Sequence, residues 1–406
     1  MIVFRAVNSR SGRRYARMLV MTFALAWVSS LQAQTLPPPG SEPSADTPTA
    51  TRASRFFDAE DGMFDVSSFL EDPRGFLPVP VVVTEPAVGY GGGAVGMFLR
   101  PRPEAGSEGW ARPNISVVGG LATENGTWAA FAGDTSRWLD GRLRTLAGGG
   151  TGNINLDFFG FGADRADVDR AVRYSLQFSG AVAQVNWQLQ PRSPWAVGVR
   201  YVYANVDPKL RDEPPIFPGL ADRARVTVSA PTAILEYDTR DNVFTPTRGV
   251  YAESAYLVSR ETLGASTDFE RFDQILMAWK TLPHEVTLGA RVNYARASGG
   301  TPFFLRPFIA LRGVPDVRYQ GDEMVSLELE GRWQFQGRWS VVAFGGAGRS
   351  WSRGQAVSFT QGVGAVGAGF RYELARKFGM HVGVDVAHSP GTTAFYFIVG
   401  NAWFRP

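Results

Sequence analysis

From Val325 to Gln336 the chain alternates without a break. Val325, Leu327, Leu329, Gly331, Trp333 and Phe335 are apolar or small, while Ser326, Glu328, Glu330, Arg332, Gln334 and Gln336 are polar or charged. Successive side chains of a strand point to opposite faces, so one face here is greasy and the other carries two carboxylates and a guanidinium. The same period recurs at Trp195–Tyr203 and Val286–Tyr294. One such strand would suit a soluble sandwich. A long series of them suits an antiparallel barrel with a lipid-facing exterior and a wet interior.

The pattern predicts sixteen strands, near 81–90, 93–100, 113–121, 127–138, 142–157, 172–189, 195–207, 223–238, 249–260, 267–282, 285–298, 323–335, 339–351, 362–376, 380–388 and 393–404. Their connections support the count. Leu139–Gly141, Pro283-His284, Gln336–Arg338 and Lys377–Gly379 are short, whereas the loops near 158–171, 208–222, 299–322 and 352–361 are long. Short periplasmic turns alternating with long external loops are expected of an outer-membrane barrel with both ends in the periplasm. The connection 101–112 breaks that rule. In Val172–Leu189 the apolar set begins on even positions (Val172, Tyr174, Leu176, Phe178) and ends on odd ones (Val185, Trp187, Leu189), which predicts a bulge near Gly180–Ala183.

Upstream of the strands the composition changes twice. Five arginines (Arg5, Arg10, Arg13, Arg14, Arg17) precede an apolar core from Met18 to Val28, and Leu31-Gln32-Ala33 offers a small-residue cleavage site. Residues 1–33 therefore read as a signal peptide. Removing them takes away five arginines and no acid, so the formal charge moves from +3 to −2, and the case for a nucleic-acid partner goes with it. Residues 34–55 form a Pro/Ser/Thr-rich linker. Residues 56–80 are a short periplasmic segment, acidic and aromatic, with one helical turn expected at Asp65–Leu70. Residues 81–406 are the barrel. The fold class is thus all-β: a sixteen-stranded antiparallel transmembrane β-barrel in contact with outer-membrane lipids.

Other chemistries find little support. The chain has 46 Gly, 28 Phe, 12 Tyr, 11 Trp and no Cys, a mix that suits turns and aromatic girdles. Gly91-x-Gly93-x-x-Gly96 and Gly362-x-Gly364-x-x-Gly367 match a dinucleotide fingerprint, but neither opens a helix in a βαβ unit. His284, His381 and His388 have no metal-ligand spacing, and His388-Ser389 lacks a nucleophile elbow. No cofactor, metal or enzymatic activity is expected.

Two segments carry a resemblance. Ile234–Gly249 (ILEYDTRDNVFTPTRG) and Ala310–Asp316 (ALRGVPD) are similar to signatures of the BamA/TamA family of outer-membrane barrels, the bacterial surface antigen domain. The first hairpin (VGYGGG) and last strand (FYFIVGNAWF) also resemble the ends of that family's barrel. The first segment reads as a turn, with Asp241 and Pro246 favouring it and Gly249 permitting positive φ. Its charges Asp238, Arg240, Asp241 and Arg248 are expected to form a solvated ion-pair cluster at the rim. For the second, the resemblance implies that the loop folds into the lumen and Arg312, followed by Gly313, meets acids of the inner wall. Glu330, with Glu328 on the same face, matches the acid of strand twelve. Gly346 stands where strand thirteen would carry Asp, and Gly383 where an Arg would precede Asp385. The contact is therefore expected to rest on Arg312 with Glu330, screened by a wet lumen to about 1 kcal/mol or less.

The resemblance further implies insertion or translocation of proteins, or of lipids, at the outer membrane. In that class the seam between first and last strands opens sideways and its edge templates an unfolded, β-rich client. Gly89, Gly91, Gly92, Gly93 and Gly400 are expected to weaken pairing there. Only 47 residues separate Gln34 from Pro80, too few for a POTRA domain of roughly 75 beside a linker, so what recognises clients in such relatives is expected to be absent or supplied by a separate periplasmic partner. The alternative is a passive pore or structural barrel that has lost the assembly role.

Overall fold

The computed structural model describes residues 56–71, 77–83, 91–100, 114–158, 172–191, 193–211, 225–314, 318–353 and 358–405. The signal peptide, the linker, Gly89, the connection 101–112 and most of the loops near 158–171, 208–222 and 352–361 lie outside the described residues. One short α-helix among the described residues, α1 (Ser67–Glu71), precedes sixteen strands: β1 (Leu77–Val83), β2 (Gly91–Arg100), β3 (Asn114–Thr123), β4 (Trp128–Trp138), β5 (Leu143–Phe158), β6 (Val172–Gln188), β7 (Trp195–Leu210), β8 (Val226–Asp238), β9 (Gly249–Ser259), β10 (Phe269–Leu282), β11 (Val286–Ala297), β12 (Glu323–Gln336), β13 (Trp339–Arg353), β14 (Ser358–Ala375), β15 (Met380–Ser389) and β16 (Thr392–Val399).

Each strand pairs antiparallel with its sequence neighbours, giving one sheet in the order β1 to β16. Alternation explains which face goes where. On β12 the outer Leu327, Leu329, Trp333 and Phe335 are exposed, while the inner Ser326, Glu328 and Arg332 are buried. An exposed aliphatic belt (Val199, Leu235, Leu276, Leu288, Val366, Val384) runs around the outer face. At the short-turn rim it is edged by Trp138, Trp187, Trp195, Trp333, Phe335 and Phe370. Aromatic rings at that height are what a membrane–water interface favours.

Several boundaries differ from the sequence expectation, most of all at the two ends of the sheet. β1 starts at Leu77 rather than 81 and stops at Val83. Gly91, Gly92 and Gly93 consequently lie within β2, paired to β1 on one side and β3 on the other, instead of crowding a hairpin. β16 stops at Val399 because Gly400 takes φ 79° and turns the chain away.

The expected bulge in β6 is absent. Gly180 faces Gly150 and Ala204, and Ala183 faces Ala147 and Tyr201, in unbroken register. Tyr174, Leu176 and Phe178 simply point inward and are buried, while Val185, Trp187 and Leu189 point out. The loop between β11 and β12 covers part of the inner face there. Phe303 of that loop lies 5.4 Å from the Tyr174 ring, and Leu305 packs on Ala204, Val228 and Phe269.

Candidate functional site

The long loop between β11 and β12 descends inside the barrel as a small hairpin. Phe308 bridges to Gln320, and the Ile309 N–H donates to Tyr319 O at 3.1 Å. Its apolar residues Ile309, Leu311 and Val314 pack on Val363 and Ala365 of β14. The wall makes room for them with glycine. A Cβ on Gly348 would overlap Ile309 Cγ2, and one on Gly346 would come within 2.9 Å of Leu311 Cδ2. Gly346, standing where the family pattern has Asp, is thus where the loop seats an apolar side chain. Replacing Gly348 with Val should unseat the hairpin at about 1–3 kcal/mol. The readout is the temperature at which purified protein loses its fast-migrating folded band, and Ile309→Ala should recover part of the loss.

Seating the hairpin brings Arg312 to three acids. Nε donates to Glu328 Oε1 at 2.5 Å, Nη1 donates to Asp385 Oδ2 at 2.9 Å, and Nη2 lies 2.7 Å from Glu330 Oε2. The Glu330 contact is off the hydrogen-bonding direction and is purely electrostatic. The guanidinium carbon stands 3.5 Å from the Phe344 ring centroid. Two further arginines balance the charge. Arg291 Nη2 donates to Glu328 Oε2 at 2.7 Å and also to Ala310 O, while Arg371 holds Asp385 through two bonds of 2.5 and 2.9 Å. Gly369 leaves space for that carboxylate, since a Cβ there would overlap Asp385 Oδ1. The neighbouring Gly313 N–H donates to Tyr396 Oη at 2.7 Å, and Ser389 Oγ donates to Gly313 O at 2.6 Å. The loop is thereby fastened to β12, β15 and β16 together.

The structure brings Arg312, Gly313, Glu328 and Glu330 together, with a weighting that differs from the expected Arg312–Glu330 contact. Glu328 and Asp385 are the principal acids, and Glu330 is secondary. The Arg312 side chain is 6% exposed, so the screening assumed for a wet lumen does not apply. The expectation missed Asp385, Arg291 and Arg371. Their signal was the alternation itself, which puts Asp385 on the inner face of β15 between the outward Val384 and Val386.

The connection between β8 and β9 reaches across the rim to the chain's end. Asn401 Nδ2 donates to Phe244 O at 2.8 Å, Phe244 stacks on Phe404, and Arg240 Nη1 donates to Arg405 O at 2.8 Å. The expected solvated cluster therefore divides. Arg240 is buried, pairs with Asp238 at 2.9 Å and lies over the Tyr251 ring. Asp241 instead accepts from the Thr247 hydroxyl and from the N–H groups of Thr247 and Arg248, closing the turn. The Arg248 side chain is exposed, Pro246 is buried, and Gly249 takes the expected positive φ, 106°. Beyond Gly400 the tail carries Trp403 into the lumen, where its ring lies 5.9 Å from both Trp279 and the Arg312 guanidinium carbon. It is 4% exposed and belongs to a cluster with Tyr251, Met277, Trp279, Phe344, Tyr396 and Ile398.

No family model matches the sequence, and no curated protein matches it. Solved structures do. BamA from Haemophilus ducreyi lacking POTRA domains 1–3 superposes at a TM-score of 0.53 with 12% identity, over 80% of this chain and 69% of that one. CdiB from Escherichia coli gives 0.56 and 10%, over 79% and 62%. CdiB from Acinetobacter baumannii gives 0.51 and 10%, over 80% and 59%. This chain thus spans less than two thirds of either CdiB chain. With identities this low it is the wall architecture that is shared, and the chain has the fold of the BamA and CdiB barrels.

Proposed function

We propose that this chain is an outer-membrane barrel that assists insertion or translocation of proteins at the bacterial outer membrane, without enzymatic chemistry. One observation carries the reading. Among the described residues, fifteen backbone pairings join the sixteen strands and none joins β1 to β16. An edge whose N–H and C=O groups lack a neighbour is a template for an incoming strand. β16 also offers a greasy outer face, with Phe395 and Phe397 exposed. The clients that suit such an edge are unfolded, β-rich chains, with outer-membrane lipids as the surrounding solvent and a separate periplasmic protein to deliver them. Lipid transfer along the same seam is the variant of this reading that the geometry favours less, because a peptide edge pairs best with a peptide.

The alternative reading is a passive pore or a structural barrel that has lost the assembly role; against a conduit stand Ile309, Leu311, Val314 and Trp403, all buried on the inner side of the wall.

The test is a quantitative outer-membrane and secreted proteome, deletion strain against parent. Selective loss of one or a few β-rich proteins is expected, and an unchanged proteome would overturn the reading. A disulfide engineered between β1 and β16, in a chain with no Cys, should abolish complementation when oxidised and restore it when reduced.

A further inference from the structure

The segment ahead of the wall is a compact knot built around one arginine. Phe57 bridges to Phe64, the Asp58 N–H donates to Met63 O, and Gly62 takes φ 66° to close the turn. The side chains of Asp58 and Asp61 also accept from the N–H groups of Glu60 and Met63, so the backbone folds the three acids Asp58, Asp61 and Asp65 toward one side. That side meets Arg338, in the turn between β12 and β13. Nε donates to Asp61 at 2.6 Å, Nη1 to Asp65 at 2.5 Å and Nη2 to Asp58 at 2.5 Å. The Arg338 side chain is 1% exposed. Burial raises the Asp65 carboxyl, but hydrogen bonds from Ser67 and Arg338 outweigh it and hold it down to about 2. The Arg338 hydrogen bond likewise lowers Asp61.

From that anchor the segment runs along the rim toward β16. The Tyr372 hydroxyl donates to Phe64 O at 2.6 Å, and the Val66 N–H donates to Leu374 O at 2.9 Å. In the next turn the Arg376 N–H donates to Asp65 and the Lys377 N–H to Ser67 Oγ. Leu70 packs on Ala375, Phe378 and Met380, and Val399, the last residue of β16, lies against the same cluster. Only residues 72–76 then separate Glu71 from Leu77, the first residue of β1. Six Cα steps of about 3.5 Å keep that start within about 20 Å of Glu71. Phe56–Glu71 is therefore covalently close to β1 and non-covalently fastened to the turn between β12 and β13, to β14 and to the turn between β14 and β15, through an apolar cluster that Met380 of β15 and Val399 of β16 share.

We propose that Phe56–Glu71 is a clasp that holds the β1/β16 seam together at its periplasmic end, in place of backbone pairing, and that releasing the three aspartates from Arg338 frees the seam to widen. Its role as a regulator of client entry rests on the reading given under Proposed function, but the clasp itself is a property of the isolated protein. The three-acid contact suits the task because it is local, reversible and made by side chains that no strand needs for its own pairing. A periplasmic partner that competes for Arg338 with an acidic surface would open it.

The experiment measures a distance in the purified full-length protein. Nitroxide labels go on Ala94→Cys in β2 and Val384→Cys in β15, both exposed on the outer face and each one strand inside its edge. The parent should give one narrow distribution. The triple variant Asp58→Asn, Asp61→Asn, Asp65→Asn should lengthen it by at least one strand spacing, about 5 Å, while the protein still runs as a folded, heat-modifiable band. A folded triple variant with the parent's distribution would overturn the proposal. Should the triple variant not fold, Asp61→Asn alone is read in the same way: broadening to longer distances supports the clasp, and a parental distribution overturns it. Because no client enters this measurement, its failure leaves the insertion reading standing, and an unchanged proteome in the deletion strain leaves the distance result standing.

Discussion

Arg312→Ala is expected to lower the stability of the folded barrel by about 3 kcal/mol or more, because breaking a buried ion pair by removing one partner leaves uncompensated charge. Arg312 meets three acids in the lumen, and the substitution leaves Glu328 with Arg291, Asp385 with Arg371 and Glu330 with the electrostatic influence of Arg332. Glu328 and Asp385 are 2% and 0% exposed, so water cannot take over. The two remaining arginine pairs keep the loss at the lower end of the usual range of about 3–5 kcal/mol. Arg312→Lys should recover little, since one ammonium cannot reach Glu328 and Asp385 from separate donors while lying over Phe344. Combining Arg312→Ala with Glu328→Gln should be milder than the two losses added, because they share a partner. The measurement is the urea midpoint of the folded band, together with protease cutting in the loop between β11 and β12. A midpoint equal to the parent's with the loop still protected would mean that the apolar seat of Ile309 and Leu311 holds the loop without the arginine.

Trp403→Ala should cost about 3–5 kcal/mol, the usual loss when a large aromatic is removed from a packed core. The ring fills space between Trp279, Gly289 and the Arg291 and Arg312 guanidinium groups. Its removal leaves a hole lined on two sides by arginine and loosens the tail beyond Gly400. The right control is Phe397→Ala, whose ring is 43% exposed on the outer face of β16 and leaves no cavity. Urea midpoints of the two variants, measured side by side, decide the matter. A Trp403 loss no larger than the Phe397 loss would show that the inward seat of the tail contributes nothing to stability.

Most of the wall was legible before any coordinate. Strand count and most of the order of inner and outer faces follow from a period of two, which is a property of neighbouring residues. Ambiguity began wherever the inner face met something other than water. Tyr174, Leu176 and Phe178 looked like a change of phase in β6 because a wet lumen was assumed, and they are instead buried inward residues, Tyr174 against Phe303 of a loop more than a hundred residues later. Gly346 looked like a missing acid and is a seat for Leu311. Asp385 was visible as an inward residue of β15, yet nothing local says that an arginine 73 residues earlier will reach it.

The sequence by itself determined the number of strands and the sidedness of most of them, since both depend on residues one and two positions apart and on which of them water tolerates. The tertiary structure alone decided which inward charges are paired, where β16 ends and what Asp58, Asp61 and Asp65 do. Arg338 meets Asp65 across 273 positions, and such a contact has no period to betray it. It exists because curling the sheet brings the rim turns to the segment that leads into β1, and because a guanidinium buried there is stable only with carboxylates around it.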